Sequence, residues 1–214
     1  MGYGIAVDSN GNTYTTGHFQ GTTSFGSTNL TTSGYNDIFV AKMDTNGSWQ
    51  WAVKVGNAFT DRGNAIAVDS SGNAYVTGYF RGTVSFGGTS LTSSGGDDIF
   101  VANIPNQMNY SGEFEYESLI GVGSSDNDGG SEIAVDSGGN AYATGFFSGT
   151  VTFGSTSLVG SGSYDIFIAK LSSSSSWQWA VKAGGSSGDG GTAIAVDSSG
   201  NAYVCLLYPA VARQ

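Results

Sequence analysis

The chain has 214 residues, 35 of them Gly, with 39% hydrophobic and 13% aromatic residues and a net charge of −10. Gly, Ser and Thr fill about two-fifths of it, which excludes a helical bundle because Gly and Thr are poor helix formers; the irregular Gly spacing excludes collagen, and the aromatic load excludes a disordered polar tract. The acidic balance repels phosphate backbones and anionic lipid surfaces, so no nucleic acid is expected as a partner.

What remains is an all-β, turn-dense globular chain. Cys205 is the single cysteine, so neither an intrachain disulfide nor a Cys-based zinc cluster can form. No apolar run approaches the ~18 residues of a membrane span, so no membrane insertion is expected. The opening Met-Gly-Tyr-Gly-Ile has neither the basic region nor the apolar stretch of a signal peptide. The expectation is a cytosolic protein or an internal piece of a longer secreted one.

The phrase Ile-Ala-Val-Asp-Ser occurs four times, starting at Ile5, Ile66, Ile133 and Ile194. Residues 66–102 and 133–169 align without a gap at 26 identical positions of 37. A tandem repeat of this length points to an array of like supersecondary units. The units are 5–65, 66–132 and 133–193, with a partial one at 194–214. Within a unit, Ile66-Ala67-Val68 predicts a short strand, and Asp69-Ser-Ser-Gly72-Asn73 a turn with Gly at the position needing positive φ. Ala74 to Phe80 predicts a second strand. A smaller hairpin runs from Thr83 to Phe86 and back through Thr89 to Thr92. Asp98-Ile99-Phe100-Val101-Ala102 is apolar on both faces, as in a sheet covered on both sides. In the first unit Trp49-Gln50-Trp51-Ala52-Val53-Lys54-Val55 predicts a last strand with Trp49, Trp51, Val53 and Val55 on one face. Four main strands and an inserted hairpin per unit predict one propeller blade each.

The order Ile-Ala-Val-Asp-x-x-Gly-Asn-x-Tyr-Val-Thr-Gly, then Asp-Ile-Phe-Val-Ala-Lys, then Trp-x-Trp-Ala, resembles the SBBP-type β-propeller repeats of secreted or surface proteins of bacteria and archaea. The resemblance covers nearly all of residues 4–204. It implies Ile-Ala-Val innermost, Tyr-Val-Thr-Gly second and the other two strands outside, with an extracellular or cell-surface location and no particular activity. The second unit departs from the pattern, with Phe114 and Tyr116 in a longer polar segment from Pro105 to Glu117. After Tyr203-Val204 the repeat loses its Thr-Gly. About three blades and the first hairpin of a fourth make an incomplete ring, since closure usually takes about four to eight blades. Its end faces would need further blades or self-association to cover apolar surface.

His18 is the only histidine and the natural general base. In register it matches Tyr79 and Phe146, so it fills a slot for a packed ring. Asp8, Asp69, Asp136 and Asp197 open the Asp-x-x-Gly-Asn turns, where a carboxylate can fix the turn by accepting backbone N–H bonds. Asp37, Asp98 and Asp165 stand before Ile-Phe as turn or strand-edge fixtures. Asp61, Asp126, Asp128 and Asp189 lie in Gly/Ser-rich connections and are the calcium candidates, although they lack the alternating ligand spacing of a calcium loop. Trp49, Trp51, Trp177 and Trp179 read as wedges between neighbouring blades rather than a sugar-stacking platform. Tyr35 and Tyr164, just before Asp-Ile-Phe, are the candidate ligand contacts. Asn29, Asn46 and Asn109 begin glycosylation sequons.

An active site needs distinct groups in one place, whereas near-identical blades repeat their polar residues. The sequence therefore points to a non-catalytic scaffold or interaction module with no cofactor, taking a protein or glycan ligand. A carbohydrate-binding propeller with equivalent pockets between blades is the alternative. A second is a segment of a propeller enzyme, a glycosidase or polysaccharide lyase, whose site lies in other blades. The divergent Pro105–Glu117 stretch is where a unique function could sit.

Overall fold

The computed structural model describes residues 1–86, 89–106 and 118–207 and contains only strands and turns there. The first unit holds β1 (Gly2–Val7), β2 (Thr13–Phe19), β3 (Thr22–Phe25), β4 (Thr28–Thr31), β5 (Asp37–Met43) and β6 (Trp49–Val55). The second holds β7 (Arg62–Val68), β8 (Ala74–Phe80), β9 (Thr83–Phe86), β10 (Thr89–Thr92), β11 (Asp98–Ile104) and β12 (Ser118–Val122). The third holds β13 (Gly129–Val135), β14 (Ala141–Phe147), β15 (Thr150–Phe153), β16 (Thr156–Val159), β17 (Asp165–Leu171) and β18 (Trp177–Ala183). The partial unit contributes β19 (Gly190–Val196) and β20 (Ala202–Leu207).

Each full unit forms a four-stranded antiparallel sheet, ordered β1-β2-β5-β6, β7-β8-β11-β12 and β13-β14-β17-β18, while β19 and β20 pair as a hairpin. The pairs β3–β4, β9–β10 and β15–β16 are the inserted hairpins expected from the sequence. The inner strands start earlier than Ile-Ala-Val alone suggested. β7 begins at Arg62 because its register slips between Gly63 and Ala65, and the slip recurs between Gly130 and Glu132 and between Gly191 and Ala193. Such a bulge lets a strand continue past an extra residue while twisting more strongly.

The glycine at each bulge touches the preceding blade. A Cβ on Gly63, Gly130 or Gly191 would lie 2.3, 2.1 or 2.1 Å from the hydroxyl of Thr16, Thr77 or Thr144. Those threonines are fully buried and donate to the carbonyls of Phe39, Phe100 and Phe167. At the other end of the inner hairpins, Tyr14, Tyr75 and Tyr142 donate to the carbonyls of Gly72, Gly139 and Gly200 in the following unit. Each junction is thus fastened near both ends of its inner strands.

Between these fastenings lie two apolar cores. One joins the first two blades through Tyr14, Ile38, Val40, Trp51, Ile66 and Phe86. The other joins the second and third through Tyr75, Val101, Ile133, Phe147, Phe153 and Phe167. A small cluster of Phe19, Phe25, Leu30, Phe39, Ala41 and Ala52 packs β3–β4 on the opposite side of the first sheet. The double-sided burial predicted for the Asp-Ile-Phe strand follows from this arrangement.

The tryptophans divide their work. A register slip at Met43 turns Trp49 away from Trp51. Trp51 packs edge-on against Tyr14 in the first interblade core, while Trp49 stands edge-on to Phe25 of the inserted hairpin. Trp179 and Trp177 repeat the pattern with Tyr142 and Phe153. Only one of each pair is therefore a wedge between blades.

Packing of the inner strands runs from β1 to β7, β13 and β19, with no comparable contact between β19 and β1 among the described residues. The array is open. Ile66, Ile133 and Ile194 are 5%, 4% and 8% exposed, whereas the matching Ile5 is 72% exposed. At the far end Tyr203 is exposed where Tyr14, Tyr75 and Tyr142 are buried.

Candidate functional site

The repeated aspartates are mostly occupied in holding the backbone. Asp8 accepts the N–H groups of Asn10 and Asn12 and the Asn12 side-chain amide, and Asp69, Asp136 and Asp197 repeat the pattern. The glycines of these turns, Gly11, Gly72, Gly139 and Gly200, have φ of 83°, 83°, 76° and 81°, a region other residues rarely enter. Burial pushes the Asp8 carboxyl up, but the Asn12 side chain and backbone, the Asn10 N–H and Lys42 outweigh it and hold it below its usual range.

Asp61 and Asp128 bind across blade boundaries. Asp61 accepts the Asn57 N–H on one oxygen and the Arg81 N–H of the second blade on the other. Asp128 does the same with Ser124 and Ser148, and Asp189 accepts the Gly185 N–H. Asp126 takes a long bond from the Ser148 hydroxyl. These calcium candidates do not converge. Among the described residues no group of three or more His, Cys, Asp or Glu side chains is arranged to hold a metal ion.

Asp37, Asp98 and Asp165 accept the Ser33, Ser94 and Ser161 N–H groups, and each keeps one buried oxygen without a hydrogen-bond partner. Lys54 pairs with Asp37 at 3.0 Å, whereas Gly121 stands at the corresponding place in the second blade. Burial pushes the carboxyls of Asp61 and Asp98 up to about 6 against the opposing N–H bonds, and raises Asp128 as well.

His18 is buried and stacks on Tyr3 with ring centroids 5.3 Å apart, in the ring slot that the repeat assigned to it. Burial, then Arg62 and the amino terminus, push its imidazole toward the neutral form. Most of the divergent segment after Pro105, with Asn109, Phe114 and Tyr116, lies outside the described residues.

The two tyrosines singled out from sequence are not equivalent. Asn36 bridges Thr60, and Tyr164 bridges Gly188 in the same manner. Tyr164 therefore takes the place of Asn36, and Ser163 takes that of Tyr35. Tyr164 is held edge-on against Phe146 with centroids 5.2 Å apart. Tyr35 is 69% exposed and lines a cleft of about 300 Å³ with Phe59, Thr60, Tyr79, Arg81 and Asp97.

This cleft straddles the first blade junction. Tyr35, Phe59 and Thr60 come from the connections around the first blade, and Tyr79, Arg81 and Asp97 from the second. Asn57 ties the halves together, its side-chain amide donating to the carbonyls of Arg81 and Thr83 while its carbonyl accepts the Phe59 N–H. The Phe59 ring rests against Gly82, where a Cβ would come within 2.9 Å of it. The Arg62 guanidinium lies 5.8 Å from the centre of the Tyr79 ring. Arg81 bonds through Nε to Asp97 Oδ1 at 2.8 Å and through Nη2 to Asn127 at 3.2 Å.

Sequence reasoning found Tyr35 and missed its companions. The available signal was departure from the repeat. Gln20, Arg81 and Ser148 occupy one position of the three units, and Phe59, Asp126 and Ser187 another. A second depression, between the Asp69 and Ser137–Gly139 turns at the opposite end of the blades, is lined by Asp69, Asn73, Tyr75 and small serine and glycine residues.

Serial four-stranded antiparallel sheets, each with an inner hairpin packed on the next, define the molecule as an array of β-propeller blades. The family model described as SBBP, a beta-propeller repeat, matches residues 50–79, and it is the repeat type that the sequence pattern resembles. The chain is also similar to an uncharacterized WD repeat-containing protein of Acanthamoeba polyphaga mimivirus, 44% identical over 52 residues. That stretch is 24% of this chain and 4% of the relative's length.

Proposed function

We propose that this chain is a non-catalytic β-propeller module of an extracellular or cell-surface protein, and that its contact surface is the cleft at the first blade junction. The observation that carries this reading is the convergence of three aromatic side chains and the Arg81–Asp97 pair from two blades. Departures from a repeat that leave packing intact are where a scaffold can acquire a specific contact. The absence of a catalytic role is supported by the employment of the repeated aspartates as backbone clasps and of His18 as a packed ring. An outside location is supported by the kind of protein in which these repeats occur. The exposed rows around Ile5 and Tyr203 are to be covered by further blades or by a second copy.

The test is an array of glycans and peptides, followed by mass analysis of whatever is retained. A module of this kind holds its ligand reversibly and releases it unchanged. Turnover of a bound probe would overturn the non-catalytic reading, and no reproducible retention of any probe would overturn the binding role.

A further inference from the structure

We propose, resting on the binding role given to this cleft, that it takes a neutral saccharide, and that it is a single site rather than one of a series. A sugar ring has apolar C–H faces bordered by hydroxyl groups. It therefore fits a place where exposed aromatic rings stand beside a planar polar pair. Tyr35 and Phe59 are 69% and 49% exposed, so two rings are open to stacking without unfolding anything. Both side chains carry few rotatable bonds, so holding them against a ligand costs little conformational entropy.

The polar part of the cleft matches adjacent hydroxyls. Arg81 uses Nε and Nη2 within the protein and keeps further N–H donors on a half-exposed side chain. Asp97 gives one oxygen to that bond and has the other as an acceptor. The remaining donors of Arg81 and the second oxygen of Asp97, set side by side by the 2.8 Å bond between Nε and Oδ1, suit two neighbouring hydroxyls. The volume, about 300 Å³, is at the lower end of ligand pockets and admits a ring or two of a chain that continues into solvent.

Charge selects against the other classes. Three aromatics next to a carboxylate could cage a quaternary ammonium group. Here Arg62 already lies over Tyr79, and Arg81 stands at the rim, so an added cation meets two positive charges. An acidic sugar faces Asp97 within the cleft and a chain of net charge −10 around it. A neutral ring meets neither penalty.

Neither of the next junctions repeats the site. The third has Ser163 and Ser187 where the first has Tyr35 and Phe59. The second, at the positions of Tyr35, Phe59 and Arg81, carries Gly96, Asp126 and Ser148. Its aromatic residues, Phe146 and Tyr164, are engaged with each other. The expectation of equivalent pockets between all blades thus gives way to one.

The experiment is calorimetric titration of the full chain with neutral gluco- and manno-oligosaccharides, with oligogalacturonate, with tetramethylammonium and with aromatic-rich peptides. Saturable one-to-one binding of a neutral oligosaccharide is expected, weakened about tenfold by Tyr35→Ala or Phe59→Ala and unchanged by Tyr164→Ala. Circular dichroism of each variant confirms that it is folded. Binding that ignores Tyr35→Ala and Phe59→Ala, or a stoichiometry of two, overturns the assignment to this cleft. Preference for the acidic sugar, the ammonium ion or the peptides overturns the saccharide inference and leaves the interaction module standing. If no probe binds, both fall.

Discussion

Ile5 and Ile66 open the same five-residue phrase, yet one is 72% and the other 5% exposed. The pair gives an internal control for the claim that each blade completes the next. Ile66 packs in the core shared by the first two blades, against side chains that include Ile38 and Val40. Truncating a fully buried Ile removes about 1.5–3 kcal/mol of transfer free energy and adds a cavity term, so Ile66→Ala should cost about 3 kcal/mol. Ile5 hides little more than a quarter of its surface, and Ile5→Ala should cost less than about 1 kcal/mol. Urea unfolding at low protein concentration reads the difference as a lower midpoint at unchanged slope. Equal losses would show that the Ile5 face is covered in solution, and a small loss at Ile66 would refute the interblade core.

Gly130→Ala should destabilise by more than about 2 kcal/mol, because the new methyl lies 2.1 Å from the Thr77 hydroxyl and 3.2 Å from the Gly78 backbone; thermal unfolding measures it. Tyr14→Phe removes the bond to the Gly72 carbonyl in the next unit and should cost about 1 kcal/mol with no change of fold, again by urea titration. Stability should rise as pH falls from 7 toward about 5, because the folded-state pKa values of Asp61 and Asp98, about 6, lie above the usual 3.8, so the folded chain binds more protons in that window. Each such carboxyl contributes at most about 1.3 kcal/mol over that window, and acidification below the usual carboxylate range reverses the trend as Asp8 and Asp136, held below that range, are protonated. A flat or falling stability between pH 7 and 5, by chemical unfolding, would contradict the burial of these groups. Light scattering should show concentration-dependent association that Ile5→Asp reduces; a strict monomer at high concentration would mean that the exposed rows need no cover.

The blade was legible because its turns are chemically explicit. Asp69 and Gly72 specify a hairpin through a carboxylate that accepts two N–H groups and a backbone with φ of 83°, and both are visible as residue types. The alternation that placed Trp49 beside Trp51 failed at one point. The slip at Met43 adds a residue to one strand, which reverses the face of everything beyond it. Nothing in Lys-Met-Asp announces that slip. The bulge at Gly63 was equally hidden, and so was the need for a glycine there, which comes from the close approach of Thr16 in another blade, remote in sequence. For the cleft, local reading found Tyr35 but could not join it to Arg81 and Asp97, because the junction is made by Asn57 and Asp61 reaching across blades. It also grouped Tyr164 with Tyr35 as candidate contacts, although the one-residue offset before Asp-Ile-Phe places them at different positions of the repeat.

The most direct test of the account is backbone NMR of the full chain during titration with the neutral oligosaccharide that binds best. Shifts should concentrate at Tyr35, Phe59, Thr60, Tyr79, Arg81 and Asp97, while Phe146, Ser148 and Tyr164 stay in place. Equal perturbation at the first and second junctions would mean that the sites follow the repeat, and perturbation at neither would remove the cleft from the function of this protein.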